Sequence, residues 1–387
     1  MYAGKDIIVV LDYHAENIEY RWFDAQSGEE RTGRYPTTAA ALEAQAQEAL
    51  RQAGAERGVV WIMESTTGWA RVKELLGPRV KFVLSNVLQM PLPPKAHRRK
   101  TDKIDTARLL REYLHGALPT SFQPDSWWRQ VRRVVDGRQD LVERQTALKN
   151  WISSLLHHET WQERANLWTA RGLQRLRALE LAATDRMLLE VKLEQLRHLA
   201  QLQEQIEAQM RQIYDTWPEA QWLDEIRGIG MVTAVSVLAH IGPIARFPTA
   251  EDLISYAGLA PGVRESDQTC HRGRIGGGGT DEHLRYLLIE ATTWLRQIPR
   301  YRPAYERVSK RRGPKVARIV LARMVLRSIY KMLRERVRFH PLATAEGRRR
   351  PAAAVPTDVR PVGPARRRSP APPRAIVRGQ RSHTKTR

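Results

Sequence analysis

The segment IIVVLD, residues 7–12, constrains the fold of everything that follows it: five large apolar residues closed by a carboxylate. A run this short and this uniformly apolar reads as a buried strand, which needs other layers to cover it. Two alternating segments follow, residues 18–24 and 30–35, separated by Ser27-Gly28, a hairpin-turn pair. Residues 38–53 are rich in Ala, Glu and Gln and read as a helix. Residues 59–63 (VVWIM) and 80–84 are two further buried strands, the first running directly into Glu64. Residues 101–114 read as a helix, with Thr101 placed to cap its N-terminus ahead of Asp102.

Three hairpin-linked strands, a helix, then more short buried strands is the order of a ribonuclease-H-like (RuvC-like) α/β domain. A doubly wound fold would alternate strand and helix from the start. From Trp127 the pattern turns helical. One stripe runs through Val131, Val134, Leu141, Leu148, Ile152 and Leu155, and a second from Leu189 through Leu193, Leu202 and Met210 to Ile213. Two long amphipathic helices predict a coiled-coil arm, the usual spacer or dimerisation element. Trp217-Pro218 ends the arm. The expected organisation is a catalytic domain over 1–122, the arm over 123–216, a mainly helical C-terminal domain over 217–340 and a disordered basic tail over 341–387. In that tail, residues 348–387 hold twelve Lys and Arg against one acid, Asp358, with few large apolar residues.

The tail carries about half of the chain's net charge of +22, so the folded part is basic too. Such a balance implies a polyanionic partner, nucleic acid first. The single cysteine, Cys270, excludes a disulfide scaffold and a Cys-based zinc site. No apolar run is long enough for a signal segment or a membrane span, so a cytoplasmic protein with no membrane partner is expected.

Three groups of residues point to chemistry. Asp12 and Glu64 each end a buried strand, and Asp102 and Asp105 share one face of the next helix. Four carboxylates brought together repel unless cations neutralise them, and hard oxygen ligands select Mg²⁺ or Mn²⁺, ions suited to phosphoryl transfer. Residues 223–242 (LDEIRGIGMVTAVSVLAHIG) read as helix, Gly-Ile-Gly turn, apolar helix. In this helix-hairpin-helix pattern Gly228 and Gly230 allow close backbone approach, and the second helix's amides can hold a phosphate. Residues 256–285 place Ser266 in a polar, Gly-rich segment flanked by Arg264, Arg272 and Arg274, a setting for a hydroxyl nucleophile beside a DNA phosphate. The acids alone would also serve a Holliday-junction-resolvase-like nuclease, and the basic faces alone a non-catalytic nucleic-acid-binding protein.

In this order the pieces resemble the DEDD transposases of insertion sequences, the group described as bridge-RNA-guided serine recombinases. The resemblance rests on Asp12 after IIVVL, on MEST-x-GW (63–69), SNVLQ (85–89) and KTDKIDTARLL (100–110). It continues in GIG-x-x-TA (228–234), F-x-T-x-x-x-L-x-x-YAGL-x-P (247–261) and the run from Ser266 through Gly273-Arg274-Ile275 to Leu284-Arg285. It covers residues 5–335. It implies a metal-binding quartet of Asp12, Glu64, Asp102 and Asp105, with Ser266 forming a covalent 5′-phosphoserine link to DNA. It also implies a structured non-coding guide RNA that pairs with target and donor DNA, and a homo-oligomer, a dimer or a dimer of dimers. Two positions differ from the group's usual pattern: Asp267 follows the serine in place of Gly, and residues 276–279 are all Gly.

Overall fold

The computed structural model describes residues 6–90, 102–158, 166–266, 269–276 and 279–340. The basic tail and Thr101, with its expected capping role, lie outside the described residues.

The N-terminal half is built on a five-stranded mixed sheet. Its strands are β1 (Ile7–Tyr13), β2 (Asn17–Asp24), β3 (Glu30–Pro36), β4 (Val59–Glu64) and β5 (Lys81–Ser85), in the order β3-β2-β1-β4-β5. β1 pairs antiparallel with β2 and parallel with β4, which pairs parallel with β5. The crossover from β3 to β4 is α1 (Ala39–Ala53), capped by the Thr38 hydroxyl, and that from β4 to β5 is α2 (Trp69–Leu76). Along β1, Ile7, Val9 and Leu11 pack with Leu42 and Ala46 of α1 and Val72 of α2. Ile8 and Val10 face the other way, onto Leu109 and Leu110 of α3 (Asp102–Leu114). Both faces of β1 and β4 are therefore dry, which is why their sequences are apolar at every position. This mixed sheet, helix-covered on both faces, fits the ribonuclease-H-like expectation.

Two 33-residue helices follow, α4 (Ser126–His158) and α6 (Ala183–Asp215). They lie antiparallel: Arg138 donates to Glu207 at 2.7 Å, and Gln145, one segment further along, donates to Gln203 at 2.7 Å. At the far end, α5 (Ala170–Ala178) closes the pair, with Leu176 wedged among Ile152, Leu156, Leu189 and Leu193. At the near end Val131, Val135 and Met210 are buried in the core of the C-terminal helices. The helix pair thus shares that core at its near end. Trp217 locks the junction, its ring edge-on to Trp127 at 4.8 Å and to Trp128 at 5.1 Å.

The C-terminal helices are α7 (Pro218–Asp224), α8 (Met231–Ile241), α9 (Ala250–Tyr256), α10 (Glu282–Leu295), α11 (Arg302–Arg312) and α12 (Pro314–Glu335). α8 is the hub, buried from Ala234 to Ile241 against α4, α6, α7 and α10. The polar, Gly-rich segment between α9 and α10 carries a β-ribbon of β6 (Pro261–Ser266) and β7 (Thr269–Ile275). Among the described residues no helix is long and apolar enough to cross a membrane.

Candidate active site

β1 and β4 run parallel with Leu11 level with Met63, so Asp12 and Glu64 are the next residues of two neighbouring strands. Side chains alternate along a strand. Ile8 and Val10, and Val60 and Ile62, face α3, so Asp12 and Glu64 belong to that same face. On α3, Asp102 and Asp105 lie seven and four residues before Leu109, the stripe that packs on the sheet. The register thus places Asp12 and Glu64 on one side of the sheet, at the carboxyl ends of β1 and β4. The Asp12 side chain is mostly buried, with the His14 Nε2 atom 3.3 Å from Oδ1. Among the described residues no three His, Cys, Asp or Glu side chains are close enough to hold a metal ion. The Asp102 side chain lies outside the described residues. The available donors are all carboxylate oxygens, the set that suits Mg²⁺ or Mn²⁺ and does not suit a softer metal.

Ser266 is the last residue of β6 and pairs with Thr269, the first of β7. It therefore stands at the tip of the ribbon, about 17 Å of extended chain from Pro261 at its base. Arg264 pairs with His271 and Arg272 with Val263, while Arg274 lies next to the end of β7. Their side chains, that of Ser266, and residues 267–268 lie outside the described residues. At the base Gly276 donates its amide to the Gly258 carbonyl at 3.0 Å, and Asp281 donates to the Tyr256 carbonyl at 2.8 Å. Gly258 has φ +64, and a Cβ there would stand 2.5 Å from Arg285 Nη1, so the arginine fills the space under the ribbon.

The Gly-Ile-Gly turn joins α7 to α8. Gly228 has φ +96 and backs onto α10, where a Cβ would meet Trp294 Cβ at 2.7 Å and the Ala291 carbonyl at 3.0 Å. Gly230 is the N-cap of α8 and offers no side chain, so no side-chain hydrogen bond occupies the first amides of that helix.

One cluster was not foreseen from the sequence. Asp281 caps α10 through Oδ1, which accepts the Leu284 amide at 2.9 Å. Its Oδ2 lies 2.6 Å from an Arg132 guanidinium nitrogen on α4, 2.8 Å from His240 Nδ1 on α8 and 3.0 Å from the Tyr256 hydroxyl on α9. Burial pushes the Asp281 carboxyl up. The His240 hydrogen bond and charge, the Leu284 amide and the Arg132 charge outweigh it and hold the group far below the usual carboxylate range. His283 stacks on His240 at 4.7 Å, and burial together with the charge of His240 pulls its pKa below the usual histidine value. This network ties α4, α8 and α9 to the start of the helix that leaves the ribbon. The available signal was a lone histidine in the apolar run VSVLAHI and an acid at a helix start.

Comparison with known proteins places these parts in a family context. Residues 9–159 match a family model described as a transposase, of the DEDD type of IS110, and residues 220–310 match the model of the IS116/IS110/IS902 transposase family. The chain is 26% identical over 284 residues to a putative transposase of Sinorhizobium fredii, covering 71% of this chain and 69% of that protein. It is 31% identical over 131 residues to an uncharacterised insertion element IS110 protein of Streptomyces coelicolor, covering 34% and 32%. Over 150 residues it is 32% identical to a pilin gene-inverting protein of Moraxella bovis, covering 36% and 46%.

Proposed function

The chain belongs to the IS110 family of transposases, and from that premise we propose that it cuts and rejoins DNA strands at the ends of an insertion sequence. The observation that carries the reading is the placement of Asp12 and Glu64 at neighbouring strand ends on the face covered by α3. In this reading Asp12, Glu64, Asp102 and Asp105 hold Mg²⁺ or Mn²⁺. When bound, the ions polarise the scissile phosphate and stabilise the oxygens that attack and leave.

Ser266 supplies the nucleophile. Its Oγ forms a bond to phosphorus as the bond to the 3′ oxygen breaks, and the hydroxyl proton ends on that 3′ oxygen. The phosphodiester energy is retained in the phosphoserine link, so an incoming 3′ hydroxyl can reverse the step and seal the strand without a nucleotide cofactor. A serine at a ribbon tip can reach a phosphate well away from its own helices, which suits an active site shared between copies in a dimer or dimer of dimers. The antiparallel arm is the element we assign to holding those copies together. A structured non-coding RNA selects the DNA by base pairing, leaving the protein to read backbone and shape. The diffuse basic charge of the chain fits that division.

The test is strand cleavage of element-end DNA by the full chain, with the adjacent non-coding RNA and Mg²⁺. Glu64→Ala and Asp12→Ala are expected to lower the cleavage rate by about 100-fold or more, and chelation of the metal to abolish cleavage. Cleavage that survives both substitutions would refute the assignment of the acids.

A further inference from the structure

A cleft of about 700 Å³ separates the carboxyl end of the sheet from the helical half of the molecule. Ser65, the residue after Glu64, forms part of its wall on one side, and α4, α8 and α9 close the other. Of the titratable side chains on its walls, Arg129, Arg132, Arg133 and Arg246 are cationic and Asp136 is the one carboxylate among the described residues. The floor is His240, whose side chain is 4% exposed. Asp281 Oδ2 holds the ring at Nδ1, 2.8 Å away, while Nε2 has no hydrogen-bond partner among the described residues. The nearest carboxylate on that side, Asp136 Oδ1, is 3.7 Å away and 59% exposed, too distant for a hydrogen bond. That nitrogen is a buried polar atom without a partner, on a residue that lines a cleft rich in arginine.

The mouth has a different character. The Arg246 guanidinium lies over the rings of Phe247 and Tyr256 at 4.3 Å each and of Phe122 at 4.8 Å. Its Nε donates to the Ile241 carbonyl at 2.9 Å, which fixes this stack. Phe122 remains 40% exposed. Cationic walls beside an exposed aromatic ring are the pairing that takes a phosphate and a base together. The cleft is of small-ligand size, on the scale of about 300–1,000 Å³, and cannot admit a duplex.

Resting on the reading that the chain acts on DNA, we infer that this cleft receives one unpaired nucleotide of a nucleic-acid strand, with its phosphate at Arg133 and its base against Phe122. The groups around the His240 ring are Arg132 and Asp136 of α4, Tyr256 of α9, and Asp281 and His283 at the start of α10.

The experiment uses the full chain and two hexanucleotide probes, 4-thiothymidine DNA and 4-thiouridine RNA, with irradiation and peptide mapping and without metal. Crosslinks are expected in peptides that contain Phe122, Trp128 or Tyr256. The probe that gives them identifies which strand the cleft holds. Phe122→Ala and Arg133→Gln, both at accessible positions, should each weaken binding of that probe about tenfold. A blunt 12-base-pair duplex should compete poorly. Crosslinks confined to other peptides, or affinities within twofold of wild type for both variants, would overturn the inference. The readout needs no strand cleavage. A chain that crosslinks at Phe122 yet never cuts DNA would sink the proposed function alone, and a chain that cuts but crosslinks elsewhere would sink only this site.

Discussion

Replacing Asp281 should show how much of the C-terminal domain depends on one carboxylate. The side chain is 4% exposed and serves four partners at once: the Leu284 amide, Arg132, His240 and Tyr256. Loss of an N-cap costs about 1 kcal/mol. Removing one partner of a fully buried ion pair costs about 3–5 kcal/mol, but Arg132 is 39% exposed and can recover water, so about 2 kcal/mol is the fitting share. The Tyr256 hydroxyl and His240 Nδ1 lose an acceptor in a mostly dry site, at about 1 kcal/mol each. These losses overlap, so Asp281→Ala should destabilise the domain by about 3–5 kcal/mol. That is a large part of the about 5–15 kcal/mol that holds a typical domain together. Asp281→Asn keeps the cap and the hydroxyl bond but not the charge, and should cost about 2 kcal/mol. Urea denaturation of the full chain followed by far-ultraviolet circular dichroism measures both. An Asp281→Ala midpoint that matches wild type, or an Asn variant as unstable as the Ala variant, would refute the reasoning.

Other outcomes follow from the same packing. Gly228→Ala forces a side chain into the left-handed region and against Trp294 and Ala291, and should cost about 2–4 kcal/mol in the same denaturation assay. Trp217→Ala removes the ring that joins Trp127 and Trp128 at the arm's root, and should cost about 3–5 kcal/mol; limited proteolysis should then cut near the junction of α6 and α7. The pH dependence has a defined sign. The folded pKa of His283 lies below the ordinary histidine value, so the unfolded chain binds more protons and stability falls as pH drops below about 6.5. Asp281, depressed in the folded state, adds a second loss as pH falls from about 4 toward its folded value. His283→Gln should remove the first limb and leave the second.

The strands of the N-terminal domain could be read from the sequence because burial on both faces leaves an unmistakable mark. Ile7 to Leu11 and Val59 to Met63 are apolar at every residue. The level placement of Asp12 and Glu64 then follows from strand order, although the sequence alone does not show that β1 and β4 are neighbours. The helix α2 was hidden because it has only two fully buried positions, Val72 and Leu76. The helix α11 has none, so its sequence RPAYERVSKRR carries no apolar stripe. The ribbon that bears Ser266 leaves no strand signal because PGVRES and TCHRGRI lack the alternation of a half-buried sheet. A two-stranded ribbon has no core of its own to impose that pattern. The Asp281 network could not be foreseen, since its members come from four helices 149 residues apart at the extreme.

The central claim is that acids and serine act as one machine that breaks and reseals DNA through a covalent link. The direct measurement is to mix the full chain with element-junction DNA, the adjacent non-coding RNA and Mg²⁺, denature, and map any DNA-bearing peptide by mass spectrometry. The account predicts a protein–DNA adduct at Ser266 that disappears with Ser266→Ala, with Asp12→Ala and without Mg²⁺. Cut DNA with free ends, no adduct, and undiminished cutting by Ser266→Ala would contradict it and leave the carboxylates as the centre of a hydrolytic nuclease.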